Sequence, residues 1–364
     1  MTFLWRRPDG SGFTTSGVAA TIAPDEVASL HARFGEHAIA VGALPFSGDG
    51  RLTVPARWTS FDATGSGSTF ELGDSGSWLA TPDVPVDLVR LPRRFVVEAV
   101  EDLAQWDGAI AAALMEIDAG AIDKVVLARE VVVEADAPFV VRDVLDRLTR
   151  SQPGCYVYGD GGFVGATPEL LVRRTGREVV SRPMAGTTPR RDDPHADDDA
   201  VAALIDSNKD DREHRLVVDA VLSALAPSVS SIEVGDPVAE RFTSVTHLTT
   251  TIIGALHAQS SANAWELAQA LHPTPAVGGS PRDAALATIA RLESFSRGNY
   301  GGPVGWVDAN GDGEFAVALR CAEIDGVRAR LLAGAGIVDG SDPDLEWAET
   351  QAKLEPMLRC LVRP

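Results

Sequence analysis

Apolar and polar positions along this chain follow two periods, and the period changes often. Between Phe95 and Asp118, apolar Val96, Val97, Val100, Leu103, Trp106, Ile110 and Leu114 recur at helical spacing, which predicts one amphipathic helix stopped by Gly120. IDKVVLAREVVVEA follows, rich in β-branched and bulky apolar residues, and predicts a long strand with Lys124 at its entry. CYVYGDGGFVGATPELLVRR predicts two strands around a glycine-rich turn, with Glu169 between Pro168 and the apolar pair Leu170–Leu171. AVAALIDSNKDDREHRLVVDAVLSAL has the period of one long helix. RFTSVTHLTTTIIGAL reads as a strand with His247 in its middle, and AWELAQALHP as a helix stopped by Pro273. From Leu271 onward turn-rich pieces alternate with short strand-like runs, and EWAETQAKLEPML predicts a closing helix.

The first 95 residues carry a weaker pattern. DEVASLHARFG reads as a short helix capped by Asp25 and stopped by Gly35. HAIAVGALPF and RLTVPARW read as strands, the second interrupted by Pro55. FDATGSGSTFELGDSGSW reads as an exposed loop or hairpin, and RRDDPHADDDA as an acidic, solvated surface loop. No Pro/Ser linker, heptad run or repeat divides the chain. The expectation is therefore one structural domain, with residues 1–95 as scaffold and 96–364 carrying the site.

Composition changes this picture only by exclusion. The formal charge of −20 argues against nucleic acid and anionic membranes as partners. Cys155, Cys321 and Cys360 are too scattered for a disulfide framework or a zinc motif, which points to a reducing compartment. The N-terminus lacks an apolar signal core, and no run approaches the roughly 18 apolar residues of a membrane helix. We expect a cytoplasmic protein, monomeric by default.

Chemistry enters through charge at helical spacing. Glu346, Glu349 and Lys353 share one face of the last helix, and Asp210 and Glu213 share a face of another. Two acidic faces brought together repel unless a cation sits between them, and carboxylates with a mostly water shell suit Mg²⁺. Two unrelated, solvated faces would show the same spacing. Taken alone, Lys124 reads as a solvated edge lysine. Glu169 reads either as a capping residue or as a half-buried acid with a raised pKa. His214 and His247 read as structural histidines, and Arg320 simply ends an apolar run.

HPTPAVGG, FSRGNYGGPVGW, ALRCAEI, AGAGIV and EWAETQAKL resemble, in order, blocks of the chorismate-utilising enzymes, most closely the isochorismate synthases. DKVVLARE, GATPELLVRR, RPMAGTTPR and DDREHRLVVDAV resemble the same family's earlier blocks, so the likeness covers roughly residues 100 to 360. It implies an α+β fold of the aminodeoxychorismate/anthranilate synthase component I type, with two large packed β-sheets and helices outside. The implied reaction is attack of water on C2 of chorismate with loss of the C4 hydroxyl. Lys124 matches the family's general base and Glu169 its general acid. Glu213 and Glu349 match its Mg²⁺ ligands, with Asp210 and Glu346 as outer carboxylates. Arg320 matches the arginine that takes the enolpyruvyl carboxylate, and Gly186, His247, Ala276, Gly334 and Lys353 fall at substrate-facing positions. A free lysine titrates near about 10.4 and a free glutamate near about 4.3, so the implied roles require burial to move both towards neutrality.

Ammonia-using relatives usually carry glutamine where Lys124 stands, so the lysine points to water and to no amidotransferase subunit. Ala185 stands where aminodeoxychorismate synthases tend to have lysine, and no tryptophan-site motif of the anthranilate synthases is visible. Salicylate synthases share the lysine, the acid and the metal ligands, but commonly have threonine at the position of Ala276. Val277 departs from the usual leucine. The resemblance thus favours released isochorismate, feeding siderophore, salicylate or menaquinone synthesis. The alternatives are a salicylate synthase and a non-catalytic homologue that binds chorismate.

Overall fold

The computed structural model describes residues 3–72 and 91–362. The long strand predicted around Lys124 is Lys124–Ala135, and it is central. Arg328–Ile337 runs antiparallel along its length, from Arg328 opposite Glu134 to Ile337 opposite Val125. Gly279–Ser280 pairs with its first residues and Phe95–Ala99 with its last. Among the described residues 18 strands join into one antiparallel network, and Met184–Pro189, Val245–Thr249 and Val238–Arg241 form a separate sheet of three.

Alternation along the strands sends side chains to two sides. Val125 and Leu127 enter a core with Trp106, Ile110 and Ile289 from helices. Val131 and Val133 point the same way, into a second helix-covered core with Leu145, Leu354 and Met357. Ala128, on the opposite side, joins Phe3, Trp5, Ile39, Tyr156 and Tyr158, a third core built almost wholly from strands. Ile39 and Val41 feed that strand-lined core while Ala38 and Ala40 feed the helix-lined one. Strand layers therefore face each other inside, with helices outside, an α+β architecture as expected. Phe3–Arg6 pairs with Tyr156–Asp160, and Ile39–Ala43 with Pro303–Asp308, so the N-terminal residues are woven into the same network.

Several local expectations change. Phe95–Ala99 is a strand, and the helix begins only at Leu103, where the Asp102 carboxylate accepts from Gln105 N. Val96 and Val97 fit either period, and the partner edge at Val131–Ala135 decides between them. The single long helix is two, Pro194–Asp206 and Asn208–Leu225, divided at extended Ser207 (φ −75°, ψ 113°), whose hydroxyl caps Asp210 N. The expected acidic loop is partly the first of these helices. Its Asp197 is buried against Arg190 rather than solvated. RFTSVTHLTTTIIGAL divides into Val245–Thr249 in the small sheet and Ile252–Leu256 in the large network. Asp25 caps nothing, since a 3₁₀ turn Pro24–Ser29 starts at Ala23 and leads into Leu30–Phe34. Pro55 lies within the strand Leu52–Phe61, opposite a register slip at Val18–Ala20. Thr69–Glu71 closes a hairpin on Arg57–Thr59, and residues 73–78 of that glycine-rich stretch lie outside the described residues.

Candidate active site

A cleft opens where the Lys124–Ala135 and Arg328–Ile337 strands and the small sheet meet the Asn208–Leu225 and Pro343–Val362 helices. Glu169, Gly186, Glu213, His247, Ala276, Arg320, Gly334, Glu349 and Lys353 all line it, although the chain separates the first and last by almost two hundred positions. Lys124 stands just behind this wall. Its Nζ donates to Glu213 Oε1 at 2.8 Å.

Lys124 is 1% exposed, which overturns its reading as a solvated edge lysine. The strand entry that the sequence shows as open is covered by Gly279–Ser280 on one side and Arg328–Ile337 on the other. Burial would raise the pKa of Glu213, but Lys124, helped by Lys353 and Lys209, outweighs this and holds the carboxylate below its usual range. Gly336 makes the approach possible. A Cβ there would lie 2.6 Å from Glu213 Oε1 and 3.0 Å from Lys124 Cε.

Glu169 is buried, and its desolvation raises its pKa to about 7 against the pull of Lys124 and Lys353. Of its two sequence readings, the buried acid is the one realised. Near neutral pH about half of the molecules therefore carry a proton there that Glu169 can give away.

Arg320 is the only non-glycine residue with a positive φ (47°) among the described residues, a backbone setting that costs on the order of 1 kcal/mol. The setting directs its guanidinium inward, where Nη2 donates to His247 Nε2 at 2.7 Å and the group lies 5.6 Å from the Phe242 ring centroid. A guanidinium only donates, so Nε2 of His247 accepts and the ring proton sits on Nδ1. That nitrogen is 2.9 Å from Thr187 Oγ1 and donates to it. Burial, with Arg320 adding to it, keeps the His247 pKa well below the usual value, so the ring is a neutral prop for the arginine. Gly186, beside Thr187, takes φ 75°, and a Cβ there would stand 3.1 Å from the Asp210 Cβ.

The two acidic helix faces do meet. Asp210 and Glu213 come from one helix, Glu346 and Glu349 from the other, and three lysines are threaded among them. Beyond the Lys124 pair, Lys353 Nζ is 2.6 Å from Glu349 and 2.9 Å from Gly334 O, and Lys209 Nζ is 3.2 Å from Glu346. Burial raises the pKa of Asp210, with Glu213 adding to it, and burial and Glu349 do the same for Glu346. Four carboxylates against three ammonium groups leave room for more positive charge, and the donors are the hard oxygens that Mg²⁺ prefers. No cluster of three or more His, Cys, Asp or Glu side chains among the described residues is close enough to cage a metal.

His214 keeps the structural reading, with Nε2 2.7 Å from Thr250 Oγ1. Other contributors are absent from the sequence reading. Lys209 had a signal, since it precedes Glu213 by one helical turn. Thr187 faces His247 only through strand register. Tyr300 lines the cleft, its hydroxyl pushed up to about 12 by burial. Arg297, buried against Glu293 (Nε–Oε2 2.9 Å), donates to the carbonyls of Val277 and Val126 at 2.7 Å and so holds the Ala276–Val277 turn against the strand.

Residues 89–362 match the family described as chorismate binding enzyme. The chain is 42% identical over 273 residues to isochorismate synthase MenF of Bacillus subtilis, a match covering 73% of this chain and 58% of that protein. It is 36% identical over 328 residues to isochorismate synthase EntC of Escherichia coli, covering 88% of this chain and 80% of that one. The structure of MenF, the menaquinone-specific isochorismate synthase from Escherichia coli, is similar with a TM-score of 0.85 at 28% identity, covering 99% of this chain and 88% of that chain.

Proposed function

The chain belongs to the chorismate binding enzyme family, and we propose that it is an Mg²⁺-dependent isochorismate synthase. The observation that carries the proposal is one cleft lined by an acid and a guanidinium, with an amine directly behind its wall. Glu169 is a buried acid with a pKa of about 7, Lys124 is a buried amine, and Arg320 is a guanidinium braced by His247.

In this reading Arg320 receives the enolpyruvyl carboxylate of chorismate, with fork-like donors that suit bidentate pairing. His247, being neutral, holds the guanidinium without competing for the anion. The ring carboxylate faces the acidic helices, near Lys353 and the backbone at Gly334. When bound, Mg²⁺ supplies the positive charge that offsets this carboxylate, held by Glu213 and Glu349 with Asp210 and Glu346 behind them.

Lys124 serves as the base that takes a proton from water as the oxygen bonds to C2. Both ring double bonds shift, C1=C2 to C1=C6 and C5=C6 to C4=C5, the C4–O bond breaks, and Glu169 passes its proton to the departing hydroxyl. One water enters and one leaves, so the product is an isomer. Glu213, 2.8 Å from Lys124 Nζ, fixes that nitrogen beside the cleft. Because water is the nucleophile, no amidotransferase partner is required. No helix among the described residues is long and apolar enough to cross a membrane. We read the protein as a monomer working in the cytoplasm, its product available to menaquinone, siderophore or salicylate synthesis.

Ala276 lines the cleft with a methyl group where a salicylate synthase commonly has a hydroxyl. The deciding test is product analysis by chromatography and NMR after incubation with chorismate and Mg²⁺, with and without EDTA. Isochorismate in equilibrium with chorismate, lost on chelation, is the expected result. Salicylate with pyruvate would move the protein to the neighbouring activity. Unchanged chorismate despite binding would make it a non-catalytic homologue.

A further inference from the structure

A second cavity, of about 440 Å³, lies beside the C-terminal half of the Pro343–Val362 helix, away from the cleft. Arg147, Arg150, Arg190 and Arg359 line it, with Asp192 and Glu355 as the acidic residues of its wall. Four arginines around one space stand out in a chain with 32 basic and 52 acidic residues.

Two of the four are already engaged. Arg359 Nε is 2.9 Å from Glu355, and Arg190 Nε is 2.9 Å from Asp197. Arg147 and Arg150 sit one turn apart on the helix Val141–Ser151 and form no ion pair among the described residues. Nε of Arg147 is buried with no hydrogen-bond partner. The Arg147 guanidinium thus keeps donor capacity that no acceptor of the chain takes up.

We propose that this cavity binds a small multivalent oxyanion bearing a phosphate group, and that its occupancy reaches the substrate-carboxylate arginine. Paired guanidinium forks match phosphate oxygens in shape and charge. The link runs through Arg190, whose Nη1 donates to Phe242 O at 3.0 Å. The Phe242 ring lies 5.6 Å from the Arg320 guanidinium and 5.9 Å from the His247 ring. An anion that engages Arg190 competes with Asp197 and with the Phe242 carbonyl, and so loosens the residue on which Arg320 rests.

The test is thermal denaturation at constant ionic strength with inorganic phosphate, with glycerol phosphate to separate a free anion from a phosphorylated metabolite, and with chloride as reference. The wild-type chain is expected to show saturable stabilisation. The Arg147→Gln/Arg150→Gln double variant should bind phosphate about tenfold more weakly, the loss of a charge-assisted contact. Arg150 is exposed, so Arg150→Gln alone provides a variant whose folding is not in question. Equal stabilisation of wild type and variants would put the phosphate in the substrate cleft and overturn the proposal, as would no stabilisation at all. The coupling half rests on the proposed reaction. Phosphate should change KM for chorismate in the wild type and not in the double variant, and an unchanged KM would remove the coupling. A chain that does not turn over chorismate would leave the binding result to stand or fall by itself.

Discussion

Replacing Glu169 by glutamine should separate its catalytic proton from its stability cost. The carboxyl titrates at about 7 in the folded chain against 4.5 for an unperturbed glutamate, because burial penalises its charged form. The native state therefore keeps a proton that the unfolded chain releases between these values. The sign follows from linkage: the contribution of the neutral acid is fully present below 4.5 and is lost as pH rises to about 7. The gap corresponds to about 3 kcal/mol. Glutamine has a similar shape and no charge to bury. Glu169→Gln should thus unfold much like the wild type near pH 4 and gain about 3 kcal/mol relative to it near pH 8. Urea denaturation of both proteins across this range cancels the other carboxylates in the difference. A wild-type-to-variant difference that stays flat with pH would refute the buried-acid reasoning. The same substitution should abolish turnover, and wild-type kcat should fall as pH rises through about 7.

Lys124→Ala should eliminate turnover and destabilise the chain by about 3 kcal/mol, because Glu213 is left buried without its cation; chorismate assays and urea melts read the two effects separately. Lys209→Gln should lower Tm in EDTA and enlarge the rise in Tm on adding Mg²⁺, since Glu346 loses its partner 3.2 Å away and a metal becomes the remaining cation; a smaller rise would show that Lys209 helps rather than competes. Glu349→Gln should raise the Mg²⁺ concentration needed for half-maximal activity roughly tenfold, in line with the loss of a charge-assisted contact, and an unchanged requirement would take Glu349 out of the metal's neighbourhood.

The acidic pairs at Asp210–Glu213 and Glu346–Glu349 were legible from spacing, because a helix fixes which neighbours share a face. That the two faces meet was not, since it depends on how two helices seat on the sheets. Lys124 shows the same limit. Its strand was plain from β-branched residues, but the pattern could not reveal that Gly279–Ser280 and Arg328–Ile337 would flank and bury it. Its pairing with a residue 89 positions away has no local trace. The break at Ser207 was hidden because one extended residue between two helices hardly disturbs a 3.6-residue period. His247 was visible as a residue but not as a prop, a role set by Thr187 lying opposite it in register. Resemblance to a family named the roles; local physics explained the elements; only the packed chain joined them.

Gly336 contributes no functional group, yet Lys124 and Glu213 meet in the volume its missing side chain leaves open. In a library carrying every amino acid at each position, substitutions at 336 should cost activity before they cost folding, because they push apart the ends of two side chains and leave the backbone in place. The atoms in its way are the ends of the Glu213 and Lys124 side chains, so an intruding Cβ would displace the pair itself. Selection acting on this cleft would then guard a void because of the pair that meets in it. An engineer widening the pocket for a bulkier substrate would do better to begin at Ala276 or Val277 than along this strand.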